Sequence, residues 1–393
     1  MKNCIITPTY SEHFKYIKKY LKSFDMYVED KEKFPIYFII NRDEWQQFFK
    51  IVKRYDKLNI KVLFFEDILS KYNIKLTPNE LLNKYDKYCY QTLKKLYTML
   101  YLQYDTYLMI DSESMWIKPT NMEQLFKEYS KRPYFGYSSL SNRKVQQPFQ
   151  KLLIENINYI LGDSNDKWFL ETFSWYIDKK VLNDICDKYG TPIKLVEKLY
   201  KFRCEKKEDI ALFEGLLYYQ YLFDNIKKYN FTVIDIEKEL SDYLGENYKT
   251  YLDTFYKKYN CNGGIIEFFA ELLNENNYLQ IAKMFNKHNI NIIRLEDSLN
   301  NLSIQKKFMK ELSPNILVVS QEHFFGLNNT IKFRFHKLVL ENKYFRKFIK
   351  HLNIVYIPLK PYVSWIGHFI FLPVDLIKIL AIIASKLKII IFG

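Results

Sequence analysis

Thr106-Tyr-Leu-Met-Ile-Asp-Ser-Glu-Ser-Met-Trp-Ile-Lys-Pro119 is the stretch on which the reading of this chain turns. Tyr107, Leu108, Met109 and Ile110 form an apolar, β-prone run, the pattern of a buried strand. Asp111 and Glu113 follow it two residues apart. If the backbone stays extended, both carboxylates leave the strand on the same side. The carboxyl edge of an open α/β sheet is where such folds bind ligands. Two hard oxygen donors there suit Mg²⁺ or Mn²⁺ bound together with a diphosphate.

Working outward, the chain upstream alternates strand and helix. Strands are expected at 4–8, 35–40, 61–65 and 107–110, with helices at 12–21, 45–55 and 84–103 between them. A β-α-β-α-β-α-β order implies a doubly wound, mainly parallel α/β sheet with right-handed crossovers. Downstream, strands are expected at 134–137 and 169–177, and helices at about 179–189 and 208–224. The stretch 143–167 reads as a polar loop over the site. Residues 230–323 read as late helices with apolar runs at 290–295 and 315–320, packed on the same sheet.

The helix before the decisive strand contains Gln91-Thr-Leu-Lys-Lys-Leu96, and the strand leads into Ile117-Lys-Pro119. This succession resembles bacterial GT-A glycosyltransferases, in which a Gln-x-x-x-Lys-Leu helix feeds a strand carrying the DXD metal motif. The opening Cys4-Ile-Ile-Thr-Pro-Thr-Tyr10 is similar to their first nucleotide-binding strand and loop. The resemblance covers roughly residues 3–225 and departs at Glu113, where the family has Asp.

The resemblance implies a GT-A-like fold and transfer of a sugar from a nucleotide diphosphate, with Mn²⁺ or Mg²⁺ on Asp111 and Glu113. His323, after the 315–320 run, is its candidate third ligand. It places donor binding at Thr7, Pro8, Thr9 and Tyr10, with Gln91, Lys94 and Lys95 near the diphosphate. For an acceptor-activating base, the pool is Glu171, Asp178, Glu208, Asp209 and Glu214. Asp209 ranks first, in an "ED" pair resembling a family element, then Glu214, then Glu171. Trp168, Phe173, Trp175 and Tyr176 offer aromatic faces to an acceptor.

Composition sets the remaining bounds. Among 393 residues, 48% are hydrophobic and only 10 are Gly and 11 Pro, which excludes a disordered or linker-rich chain. Five scattered cysteines without CxxC spacing fit a reduced compartment and no zinc site. No signal peptide is expected before the first strand. Net charge is +14, and residues 324–393 hold 11 Lys and Arg against two acids, so that tail carries +9 of it.

Within the tail, Leu376, Ile379, Leu380, Ile383, Leu387 and Ile390 fall on one helical arc of about 100°, with lysines opposite. No stretch is long and apolar enough to span a bilayer. The expectation is a catalytic domain over 1–323, with a nucleotide-sugar half (1–120) and an acceptor half (121–323). Residues 324–393 are then a basic, amphipathic region lying on an anionic inner-membrane surface from the cytoplasmic side. The acceptor would be a cell-surface glycan or glycolipid precursor, of capsule, lipopolysaccharide or lipooligosaccharide type. Two other classes fit the sequence less well. A nucleic-acid-binding protein would show a reading motif, and none is found. A sugar nucleotidyltransferase would show a Gly-rich phosphate loop, but Thr7-Pro-Thr-Tyr-Ser11 has no glycine.

Overall fold

The apolar runs pair into two sheets in the computed structural model of the protein, which describes residues 2–139, 148–169, 175–206, 210–246 and 275–290, with positions 248, 292, 307–308 and 310–311. All of them belong to the first of two units into which the chain divides, Met1–Asn329. The main sheet contains β1 (Asn3–Pro8), β2 (Ile36–Ile40), β3 (Ile60–Phe64), β4 (Thr106–Met109) and, later in the chain, β7 (Tyr176–Asp178), in the order β3-β2-β1-β4-β7. The first four are parallel, with Ile5 opposite Ile36 and Leu108; β7 runs antiparallel, Leu108 facing Tyr176.

Strands buried on both faces read as continuous apolar runs. Cys4, Ile5 and Ile6 are accordingly all fully buried. On one face, Phe38 of β2 packs edge-on to Tyr20 of α1 (Phe14–Tyr27) and against Phe48 of α2 (Trp45–Val52). On the other, Cys4, Ile6, Tyr107 and Met109 share a core with α3 (Phe65–Lys71) and α4 (Pro78–Tyr101).

Helix α4 begins with a capping box: Thr77 accepts from the Glu80 amide while the Glu80 carboxylate accepts from the Thr77 amide, with Pro78 in the first turn. It is broken once, at Asp86, whose φ of 65° and ψ of 164° are far from helical. At its other end the Lys179 ammonium donates to three carbonyls, Met99 at 2.6 Å, Leu100 at 2.7 Å and Leu102 at 2.9 Å. A cation satisfying the last carbonyls also complements the helix dipole. Desolvation lowers the Lys179 pKa to about 8.

The second half holds α5 (Met122–Lys131), β5 (Tyr134–Ser139), α6 (Pro148–Leu161), β6 (Lys167–Trp168), α7 (Lys179–Tyr189), α8 (Pro192–Lys206), α9 (Glu214–Asp224), β8 (Thr232–Asp235), α10 (Ile236–Leu244) and α11 (Tyr278–Lys287). Several expectations are corrected here. The expected loop at 143–167 is largely helix α6, because Leu153, Ile154, Ile157, Ile160 and Leu161 repeat at helical spacing and are all buried. The single strand expected at 169–177 is instead two short ones, β6 and β7, in different sheets. The helix expected from 208 starts only at Glu214, since 210–213 are not helical and Phe213 is extended. β8 joins β5 and β6 in a separate three-stranded sheet, not the main one. The 315–320 run and the tail from 324 lie outside the described residues, and among those described no helix is long and apolar enough to cross a membrane.

Asp178, at the end of β7, accepts from the Thr106 hydroxyl at 2.8 Å. Burial raises its pKa to about 6 in spite of that bond. The folded state thus holds this proton more tightly than the unfolded chain does. Its contribution to stability is full below about pH 4 and is lost as pH rises through 6. The loss is on the order of 2 kcal/mol after discounting for partial exposure. Asp178→Asn is expected to flatten that component in denaturant titrations between pH 4 and 7; an unchanged slope would refute it.

Candidate active site

β1 and β4 are neighbours, and the next main-sheet strands lie on opposite sides of the pair, β2 after β1 on one side and β7 after β4 on the other. Such a switch in strand order opens a crevice at the carboxyl ends. A cavity of about 960 Å³ lies there, large for a small-molecule site. Pro8, Thr9 and Tyr10 from the end of β1, Asp111, Ser112 and Glu113 from the end of β4, and Gln91, Lys94 and Lys95 from α4 all line it, as does Glu214 at the start of α9.

Asp111-Ser-Glu113 is a turn rather than extended chain, the Ser114 amide donating back to the Asp111 carbonyl at 3.0 Å. The alternation argument for their direction therefore fails, yet both side chains face the cavity and stay accessible, 31% and 23% exposed. What holds the turn is Trp116. Its ring is fully buried edge-on to Tyr20 and Phe24 of α1, each at 4.9 Å, and its amide donates to the Ser23 hydroxyl at 3.0 Å.

The β1 loop is fixed from two sides. The Thr9 amide donates to the Ile39 carbonyl at 3.0 Å, and its carbonyl accepts from the Lys94 ammonium at 3.0 Å. Lys94 is buried, and desolvation lowers its pKa to about 8. Its contact with the loop carbonyl makes it a brace of the loop. The buried Thr9 hydroxyl has no hydrogen-bond partner among the described residues, although it borders the cavity. An orphaned buried hydroxyl costs free energy until something meets it. Thr9→Val is expected to leave unfolding stability unchanged or slightly higher while weakening nucleotide binding about tenfold. Calorimetry on the two proteins reads both quantities, and intact affinity in the variant would exclude a ligand contact.

Lys95 donates to Glu214 Oε1 at 2.7 Å and stands 3.7 Å from Asp111 Oδ1. Glu214 is only 5% exposed, and its second oxygen lies 3.1 Å from the Thr92 hydroxyl, whose one proton it shares with the Leu212 carbonyl at 2.5 Å. Asn156 positions the segment leading to it, donating to the Ala211 carbonyl at 2.7 Å and accepting from the buried Arg203 guanidinium.

Other sequence candidates fall elsewhere. Thr7 is fully buried with its hydroxyl on Tyr20, 3.0 Å away, so it stands behind the cavity wall as part of the core. Asp178 sits at the opposite end of β4, beside Thr106. Trp175 lines the cavity, as do Phe169, Phe213 and Tyr219, but Trp168 and Tyr176 are buried in the core. Glu171, Phe173, Glu208, Asp209 and His323 lie outside the described residues.

Sequence reading passed over His13, Asn41 and Glu44. The His13 ring packs on Tyr10 at 4.3 Å and a tilt of 32°, with Nδ1 3.3 Å from the Ser112 hydroxyl and 3.7 Å from Glu113 Oε2, joining the two loops. Glu44 accepts from the Ser11 amide at 2.6 Å, and Asn41 accepts from the Tyr90 hydroxyl at 3.0 Å. A histidine five residues beyond a strand end was a visible signal; the partners of Glu44 were not.

The sequence matches no known family profile and no curated protein. Among solved structures, the fold is similar to mouse xyloside xylosyltransferase 1 in its apo form, at 11% identity over 67% of this chain and 96% of that one, with a TM-score of 0.36. It is similar to TarS from S. aureus at 15% identity and a TM-score of 0.28, over 73% of this chain and 48% of that one. Core-mannan synthase A from Aspergillus fumigatus, in a Mn/GDP form, is similar at 9% identity and a TM-score of 0.27, over 51% of this chain and 69% of that one. At these scores the similarity carries no argument about the site.

Proposed function

We propose that this chain is a glycosyltransferase that takes a sugar from a nucleotide-diphosphate donor with the help of Mn²⁺ or Mg²⁺. The observation that carries the reading is the convergence, at one crevice, of the β1 loop, an accessible acidic turn and a lysine. Asp111 and Glu113 suit such an ion chemically. Among the described residues no group of three or more His, Cys, Asp and Glu could enclose one. Mg²⁺-type sites commonly need only one or two carboxylates, the remaining positions going to phosphate oxygens and water. When bound, the ion would neutralise charge developing on the departing diphosphate as a Lewis acid.

The chain's own residues supply the rest. Thr9 and Tyr10 would meet the nucleoside, Thr9 through its free hydroxyl and Tyr10 through its ring. Lys95 would face the diphosphate beside Asp111. Phe169, Trp175, Phe213 and Tyr219 border the same cavity and would give the sugars apolar faces. Glu214, Asp209 and Glu171 remain the base candidates. Of these, Glu214 lines the cavity with both oxygens engaged.

The acceptor we propose is a glycan or glycolipid precursor of the cell surface, of capsule, lipopolysaccharide or lipooligosaccharide type. It would be met at the cytoplasmic face of a bacterial inner membrane, which the protein would join peripherally. Supporting this are the excess basic charge of 324–393 and its apolar stripe, without which a lipid-linked acceptor would have no shared surface. A nucleotide-sugar screen by thermal shift with Mn²⁺ tests the core of the reading. At least one UDP- or GDP-sugar should raise the melting temperature only when the metal is present. A flat response across all donors would overturn it.

A further inference from the structure

Resting on the reading that this cavity takes both a divalent ion and a diphosphate, we propose that Lys95 is a charge gate that makes the two bind together. Its ammonium is held 2.7 Å from Glu214 Oε1 and 3.7 Å from Asp111 Oδ1, and the side chain is 12% exposed. Glu214 lies deeper, 5% exposed, with its other oxygen beside the Thr92 hydroxyl. Lys95 cannot swing into solvent without leaving a buried carboxylate unpaired, which is costly. The positive charge therefore stays at Asp111 whether or not a ligand is present.

Each ligand alone then meets opposition. Lys95 repels a cation that comes to Asp111 by itself, in a cavity where Coulomb forces are screened less than in water. Asp111 and Glu113 repel a diphosphate that comes without a cation. Together the pair satisfies every charge: the carboxylates face the cation and Lys95 faces the phosphates. Such coupling is reciprocal by thermodynamic necessity, so each ligand tightens the other by one factor. Glu214 sets the strength of the gate, since it shares the ammonium with Asp111. In this account Glu214 is a positioning residue that acts through Lys95.

The test measures Mn²⁺ binding to the full chain by paramagnetic resonance of the free ion, with and without saturating UDP or GDP. For the native chain, nucleotide should tighten Mn²⁺ at least tenfold. Lys95→Met should tighten Mn²⁺ alone about fivefold and cut the nucleotide enhancement by at least the same factor, leaving what direct contact between ion and phosphate supplies. Glu214→Gln should do the reverse, weakening Mn²⁺ alone and enlarging the enhancement. The double variant Lys95→Met/Glu214→Gln leaves no buried carboxylate without a partner and should behave as Lys95→Met does. Wild-type enhancement that persists in both lysine variants would overturn the gate while leaving the metal and diphosphate reading intact. Absence of Mn²⁺ and nucleotide binding in the native chain would overturn both.

Discussion

Asp111→Asn is expected to lower transfer and metal-dependent nucleotide binding by at least a factor of about a hundred. The fold should be untouched. Partners one shell beyond a metal ligand are worth roughly 10- to 100-fold in affinity or activity, so a carboxylate that would touch the ion directly should exceed that. The side chain is 31% exposed at a turn and buries no core, so asparagine fits the same space. Thermal denaturation checks the fold and donor turnover checks the function. Retention of full activity in excess EDTA, or in the variant, would remove the metal from the account.

Trp116→Ala is expected to cost about 3–5 kcal/mol of stability, the usual range for emptying a fully buried large aromatic site. For a chain of this size that corresponds to a melting point lower by about 4–6 °C. Two edge-to-face contacts, with Tyr20 and Phe24, vanish together. Trp116→Phe should cost much less, because the indole N–H has no hydrogen-bond partner among the described residues and its loss leaves nothing unpaired. Trp116 also pins the turn bearing Asp111 and Glu113 to α1, so the alanine variant should lose nucleotide-induced stabilisation beyond what its lower melting point explains. A loss under 1 kcal/mol would mean that the turn is held by other contacts.

The parallel half of the molecule was legible because its signals are local. Cys4 to Ile6 and Tyr107 to Ile110 are apolar on both faces, and such runs mean strands between helical layers. The acidic turn was legible for the same reason, lying immediately after one of these strands. The second half was harder. Lys, Glu and Asn interleave with the buried positions of α6, so its periodicity passed for polar loop. The two-residue strand β6 and three-residue strand β7 exist only through their partners in different sheets. Which side chains would meet was less legible still. Lys94 and Lys95 are adjacent in sequence, and nothing local says that one braces the Thr9 carbonyl while the other reaches Glu214. Thr7 and Thr9 differ only in which faces the core and which borders the opening.

The break at Asp86 has a geometric consequence. Asn79 and Leu82 precede it, Gln91, Lys94 and Lys95 follow it, and residues from both arms border one opening. In a straight rod, Asn79 would stand about 18 Å along the axis from Gln91. Its dihedral angles fall in territory that residues other than glycine enter at a cost of roughly 1–3 kcal/mol. The molecule thus bends its longest described helix so that residues of both arms reach the mouth of the crevice. The width of the entrance depends on a single bend.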